Sequence, residues 1–165
     1  MKFSKRRGFT LIELLLVVAI IVILASLVIV SVSKARMQGR DSKRIADLSK
    51  IQLAMEMYKD GHGGSYPSLP TSNWENINNT TVTLIATLIT NLQPYLSPMP
   101  QDPITTTGTS YGYNIIGSAP TVGGYWLNAL MEDPSNIPAN YLAGNKCYQI
   151  WGGTAVTVRT GPTGC

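Results

Sequence analysis

The residues in this chain that could do chemistry are few, and one sits where a charge is costly. Glu13 interrupts the apolar stretch RRGFTLIELLLVVAIIVILASLVIV, residues 6–30. An acidic side chain in a membrane-length helix costs about 2.5–3.5 kcal/mol on insertion scales, so it needs a partner. Cys147 and Cys165 are the two cysteines, with no histidine or further cysteine near them. They lack metal-site spacing, and a disulfide, which requires an oxidising compartment, is the better reading. His62 is the single histidine and lies in the turn GHGGS. That turn faintly resembles an oxyanion loop, but no G-x-S-x-G follows, and paired cysteines leave no thiol nucleophile. Asp102 and Asp133 stand apart, each followed by proline. No catalytic residue, metal site or cofactor site is therefore assigned.

The elements that must position these residues follow from composition and periodicity. Charged residues are 13% of the 165-residue chain, about half the usual share. Of the +4 net charge, Lys2, Lys5, Arg6 and Arg7 supply all four units, and the rest of the chain is balanced. Residues 34–60 carry seven Lys/Arg against four Asp/Glu, and residues 61–165 carry two against four. These balances bear on solvation and partners rather than on fold. Residues 14–30 are apolar except for Ser26, and with Phe9 to Ile12 in front they are long enough to span a bilayer as a helix. A secretory signal peptide shares the basic front and apolar region, but here that region is too long and no small-x-small cleavage site follows. A plain membrane anchor is the other simple reading.

The helical signal runs on. Ile45, Leu48, Ile51, Met55 and Tyr58 recur at spacings of three and four, with no proline across 33–60, which marks an amphipathic stripe. Arg40, Asp41, Lys43, Arg44, Asp47 and Lys50 are read as solvated polar faces of that helix. The break comes at DGHGG, residues 60–64. A helix over residues 9–60 would be on the order of 75–80 Å long, more than a small globule can bury. Its front half must bury itself in lipid or in other copies. Leu84, Ile85, Leu88, Ile89 and Leu92 predict a short helix over 82–93, ended by Pro94. Aromatic and β-branched runs predict strands at 110–116, 125–131, 146–151 and 154–159. Gly152-Gly153 reads as a two-residue hairpin turn between the last two strands, placing Cys147 opposite Val158. The tail TGPTGC could then bring Cys165 back to Cys147.

The stretch KFSKRRGFTLIELLLVVAIIVILASLVIV resembles the N-terminus of type IV pilin precursors and of type II secretion pseudopilins. The shared pattern is a basic leader, then Gly8, Phe9, Thr10, Leu11, Ile12 and Glu13, then an apolar run. ADLSKIQLAMEMYKDGHGGSYP is similar to the end of the long pilin helix and its following loop. YLSPMPQDP, followed by YGYNI, is similar to the loop and first strand of the major pseudopilin and its relatives. The resemblance extends to about residue 115.

It implies an α+β, pilin-like fold: a long N-terminal helix, half transmembrane and half amphipathic, packed on an antiparallel sheet. The implied organisation is a leader over 1–8, a transmembrane and assembly helix over 9–32, an amphipathic helix over 33–60, and a head over 61–165 with a C-terminal disulfide loop. A prepilin peptidase would cut between Gly8 and Phe9 on the cytoplasmic side and methylate the new Phe9 amine. Gly8 offers the protease a backbone without a side chain. Glu13, with Thr10 beside it, would serve assembly by pairing with the Phe9 amine of its own or a neighbouring subunit. The basic leader favours the cytoplasm, but Lys34, Arg36, Arg40, Lys43 and Arg44 crowd the other side. The disulfide reading breaks that tie and places residues 33–165 outside. Two departures stand out: no proline occurs from residue 9 to 66, and the aspartate-rich calcium loop of the major pseudopilin is missing.

The function expected first is that of a structural subunit of a type IV pilus-like filament. It would be a single-pass inner-membrane prepilin before assembly and an extracellular or periplasmic filament afterwards. Its partners would be other copies in a helical filament, the prepilin peptidase, the pilus or type II secretion assembly machinery, and the membrane. The alternative is the major pseudopilin of a type II secretion system. A DNA-uptake minor pilin is a further reading, resting on the basic segment 34–44. The slightly acidic head argues against phosphate binding, so no nucleic acid is expected. An anchored enzyme built on His62 lacks a nucleophile.

Overall fold

The computed structural model describes residues 8–70, 74–79, 81–104, 113–117, 123–137, 142–143 and 146–153. The chain divides into two compact units, Met1–Met37 and Gln38–Cys165. Helix α1 spans Leu11–Gly61. In the first unit its apolar side chains, among them Leu14, Leu15, Leu16, Ile20, Ile21, Ile23 and Ile29, are exposed. The one polar group deep in this run, the Ser26 hydroxyl, donates to the Ile23 carbonyl at 2.7 Å, so it needs no outside partner.

In the second unit, Leu48, Ile51 and Met55 of the stripe expected on α1 are buried in the core and Ile45 and Tyr58 pack partly buried against it, with Ala54 joining them. The helix stops where glycine takes over. Gly63 and Gly64 have φ of 64° and 84°, a region that side chains disfavour. The Gly64 amide returns to the Lys59 carbonyl at 2.9 Å. Helix α2, Thr83–Leu92, buries Ile85, Leu88 and Leu92 against the same core.

Among the described residues the sheet has five strands: β1 (Glu75–Asn76), β2 (Tyr113–Gly117), β3 (Gly124–Leu130), β4 (Leu142–Ala143) and β5 (Cys147–Gly153). Their spatial order is β1-β2-β3-β5-β4, with every neighbouring pair antiparallel. A short 3₁₀ turn, Pro134–Asn136, follows β3 and is capped by the Asp133 carboxylate, which accepts from the Ser135 amide at 3.0 Å. Alternation sets the faces. Tyr113, Ile115, Tyr125, Leu127, Ala129, Tyr148 and Ile150 share the core with both helices, while Ile116 and Trp126 pack with Trp74 in a separate cluster. The long helix on an antiparallel sheet is the α+β, pilin-like arrangement expected from the sequence. The two-residue strands β1 and β4 were not expected.

Two expectations are corrected. Gly152-Gly153 is not a hairpin turn: both glycines belong to β5, where Gly152 pairs with Tyr125 and Gly153 with Gly124. Glycine serves close approach instead. A Cβ on Gly152 would stand 2.6 Å from Glu56 Oε1 and 2.7 Å from the Tyr125 ring. The expected strand 154–159, with Val158, lies outside the described residues, and Cys147 faces Leu130 and Ala143 in register. The second correction concerns the helix polar face. Asp41, Arg44 and Asp47 are buried rather than solvated, because distant segments bring polar partners to them: Asp102 and Glu132 to Arg44, the Glu132 and Asp133 amides to Asp41, and the Tyr113 hydroxyl to Asp47.

Candidate functional site

The residues singled out for processing and assembly gather at the start of α1. Thr10 occupies the position before the helix, and Glu13 is the acidic residue of its first turn. The Glu13 amide donates to Thr10 Oγ1 at 3.3 Å, and the Thr10 hydroxyl donates back to Glu13 Oε2 at 3.4 Å. This is a variant of the T-x-x-E capping box, with the hydroxyl rather than the Thr10 amide meeting the carboxylate. A carboxylate here also complements the positive end of the helix dipole. Gly8, Phe9, Thr10 and Glu13 are all exposed. In the uncleaved chain the Phe9 nitrogen is an amide, so it offers Glu13 no cation. Sequence reasoning passed over the cap, although its signature was present.

The strongest electrostatics lie in the second unit. Arg44 is fully buried and binds three carboxylates from three segments. Its Nε and Nη2 donate to the two oxygens of Asp102 at 2.7 and 3.0 Å. Its Nη1 donates to Asp41 at 2.7 Å and to Glu132 at 3.0 Å. Arg40 grips Glu132 through two bonds of 2.6 Å. Asp41 also accepts the backbone amides of Glu132 and Asp133, at 3.0 and 2.9 Å, and Asp102 accepts that of Ile104 at 2.8 Å.

Burial opposes the charge on Arg44, but hydrogen bonding and attraction from Asp102, joined by Glu132 and Asp41, win, and its pKa is raised. Hydrogen bonding from Arg40, then from Arg44, outweighs burial and holds the Glu132 carboxyl below its usual range. Burial would raise Asp47, yet bonds from Lys43, Tyr113 and Lys50 lower it. The network pins the 101–104 loop and the end of β3 to the helix. Asp102 and Asp133, isolated in sequence, are thus an ion-pair partner and a cap. Among the described residues no group of three or more metal-ligating side chains is placed to hold an ion.

His62 stacks on Tyr58, centroids 3.8 Å apart, and its Nδ1 lies 2.8 Å from the Tyr58 carbonyl. Cys147 is buried on β5; Cys165 lies outside the described residues.

A long helix whose front half is apolar and exposed, followed by a second helix and an antiparallel sheet, is a pilin-like α+β fold. Residues 3–29 match the family described as the prokaryotic N-terminal methylation motif. The type II secretion system core protein G of Escherichia coli (strain K12) is 28% identical over 124 residues, covering 71% of this chain and 83% of that protein. Its namesake from Vibrio cholerae serotype O1 is 28% identical over 135 residues, 78% of this chain and 84% of that one. That of Pectobacterium carotovorum is 34% identical over 64 residues, 39% of this chain and 40% of that one. No solved structure matches. The motif and these similarities support the pilin and pseudopilin family that the sequence resembles.

Proposed function

We propose that this chain is a pseudopilin of a type II secretion system. It is stored in the membrane as a prepilin, cut between Gly8 and Phe9 by a prepilin peptidase, and polymerised through α1 with other copies. The observation that carries this reading is the similarity to core protein G over most of both chains, together with the N-terminal motif. It favours the secretion pseudopilus over the type IV pilus expected first. The role is structural rather than catalytic.

The physical logic starts at Glu13. Before cleavage its carboxylate is held by Thr10. Cleavage creates a positive amine at Phe9, which is then methylated. A cation at a helix N-terminus opposes the helix dipole, and a carboxylate within one turn offsets it. Pairing with the amine of a neighbouring copy would fix the axial stagger between subunits. The candidate span in α1, with mean hydropathy 3.4 and none of it buried, supports membrane storage. Assembly then exchanges lipid contact for helix–helix contact. Residues 33–165 lie outside the cytoplasm in this reading, which the pairing of Cys147 with Cys165 requires.

The test is complementation of a strain lacking this gene. Wild type should restore release of secreted enzymes into the medium, and its intact mass should begin at Phe9 with one added methyl. Glu13→Ala should enter the membrane yet restore little release. Loss of surface fibres with release of enzymes unchanged in the deletion strain would return the reading to a type IV pilus.

A further inference from the structure

The segment after the apolar run holds five basic residues, Lys34, Arg36, Arg40, Lys43 and Arg44. The structure divides them sharply. Arg40 and Arg44 are spent on Glu132, Asp41 and Asp102. Lys43 is held by Asp47 at 2.7 Å and by the Gln101 carbonyl at 2.8 Å. Lys34 and Arg36 are exposed and have no partner among the described residues. Most of the apparent basic band therefore serves the head's interior, and two cations are left over.

Their position says what they face. At about 1.5 Å per residue, the run from Leu11 to Val32 covers on the order of 33 Å, close to the hydrocarbon thickness of about 30 Å. Lys34 and Arg36 then emerge at the phosphate level of the leaflet through which α1 leaves the bilayer. Their angular spacing says what kind of partner fits. Residues two apart on a helix point about 200° away from each other, so they do not share a face. A protein docking from one side would meet one of them. A sheet of headgroups surrounds the helix and meets both at nearly one height.

We propose that Lys34 and Arg36 form a collar that binds the phosphates of anionic phospholipids while the subunit is stored in the membrane. The inference rests on the membrane storage proposed above. The collar holds α1 at a fixed depth and opposes its withdrawal, so anionic lipid at the exit leaflet tunes how readily the subunit is extracted.

The full-length chain, reconstituted into vesicles of phosphatidylcholine with a minority of phosphatidylglycerol, tests this. After flotation, protein extracted in mild detergent is examined by native mass spectrometry for retained lipid. Wild type should retain phosphatidylglycerol over phosphatidylcholine. The preference should fall about fivefold for each of Lys34→Gln and Arg36→Gln, and be unchanged in Lys50→Gln, a cation outside the collar. Inorganic phosphate added to the vesicles should not displace the lipid. Equal lipid retention by wild type and the double variant, with both floating, overturns the collar and leaves membrane storage standing. Failure of wild type to float with the vesicles overturns membrane storage and the collar with it.

Discussion

Arg44 and Asp102 are 58 residues apart in sequence and meet through two parallel hydrogen bonds of 2.7 and 3.0 Å inside the head. One partner is on α1 and the other in the 101–104 loop, so the pair is a tether between segments that local structure does not join. Removing one member leaves a buried charge unmatched, which costs about 3–5 kcal/mol. Arg44→Met and Asp102→Asn should each destabilise a soluble form lacking residues 1–37 by that order. Arg44→Lys should recover part of the loss, since it keeps the charge but not the fork. Urea unfolding gives the values, and a change below about 0.5 kcal/mol for Arg44→Met would show that the tether is energetically idle.

Acid should loosen the same network. The Glu132 carboxyl is held below its ordinary 4.5 by Arg40 and Arg44. A depressed folded pKa gives stability that is present above the unfolded value and lost as pH falls through the folded one. The head should thus be most stable near neutrality and weaken as pH drops below about 4.5. Glu132→Gln should be less stable at pH 7 and show a shallower acid loss, measured as urea midpoints across the pH range. Parallel curves for the two proteins would remove Glu132 from the acid response.

The long helix was legible in the sequence because its apolar run and its 45–58 stripe each carry a strong period, and β3 and β5 because aromatic and β-branched residues cluster there. The ion network was not legible. Asp41 and Arg44 look like ordinary surface residues, and partners 58 and 88 positions from Arg44, and 91 and 92 from Asp41, explain their burial. Strands β1 and β4 contain two residues each, too short for any period. Gly152 misled for a physical reason: paired glycines mark both turns and close approach, and only the neighbouring Glu56 and Tyr125 decide between them. At the candidate site, Gly8, Phe9, Thr10 and Glu13 could be picked out by motif alone; the T-x-x-E signature of the cap was also in the sequence, but its variant bonding, hydroxyl to carboxylate, came only from the coordinates.

Gly152→Ala should therefore be costly although it adds one methyl group. The new Cβ would meet Glu56 Oε1 and the Tyr125 ring at 2.6 and 2.7 Å. Glu56 is not free to retreat, because it accepts from Tyr66 at 2.7 Å and Tyr125 at 3.3 Å. Overpacking of this kind costs about 1–3 kcal/mol. Thermal unfolding of the head should show a lower midpoint, with near-ultraviolet circular dichroism reporting displaced tyrosines. An unchanged midpoint would mean that β5 shifts away from α1 without loss.

The last prediction concerns the C-terminal cysteines. Cys147 begins β5 and is buried, opposite Leu130 in register, and no described cysteine is free. These facts support its proposed pairing with Cys165. A bond between them would close a loop over the end of the chain, worth roughly 3 kcal/mol in the chain-entropy model. The sequence TGPTGC brings little apolar surface to hold that end down, so the covalent tie should dominate there. Exported protein should therefore show no titratable thiol without reductant. Reduction should lower the melting temperature and speed proteolysis after β5, while the hydrogen-exchange protection of Leu48 to Met55 persists, because Leu48, Ile51, Ala54 and Met55 share one buried cluster with Tyr113, Leu127 and α2. Two titratable thiols in native exported protein would contradict the pairing. They would also remove its support for a head outside the cytoplasm, leaving the orientation of α1 to be set by the basic leader against the cations of residues 34–44.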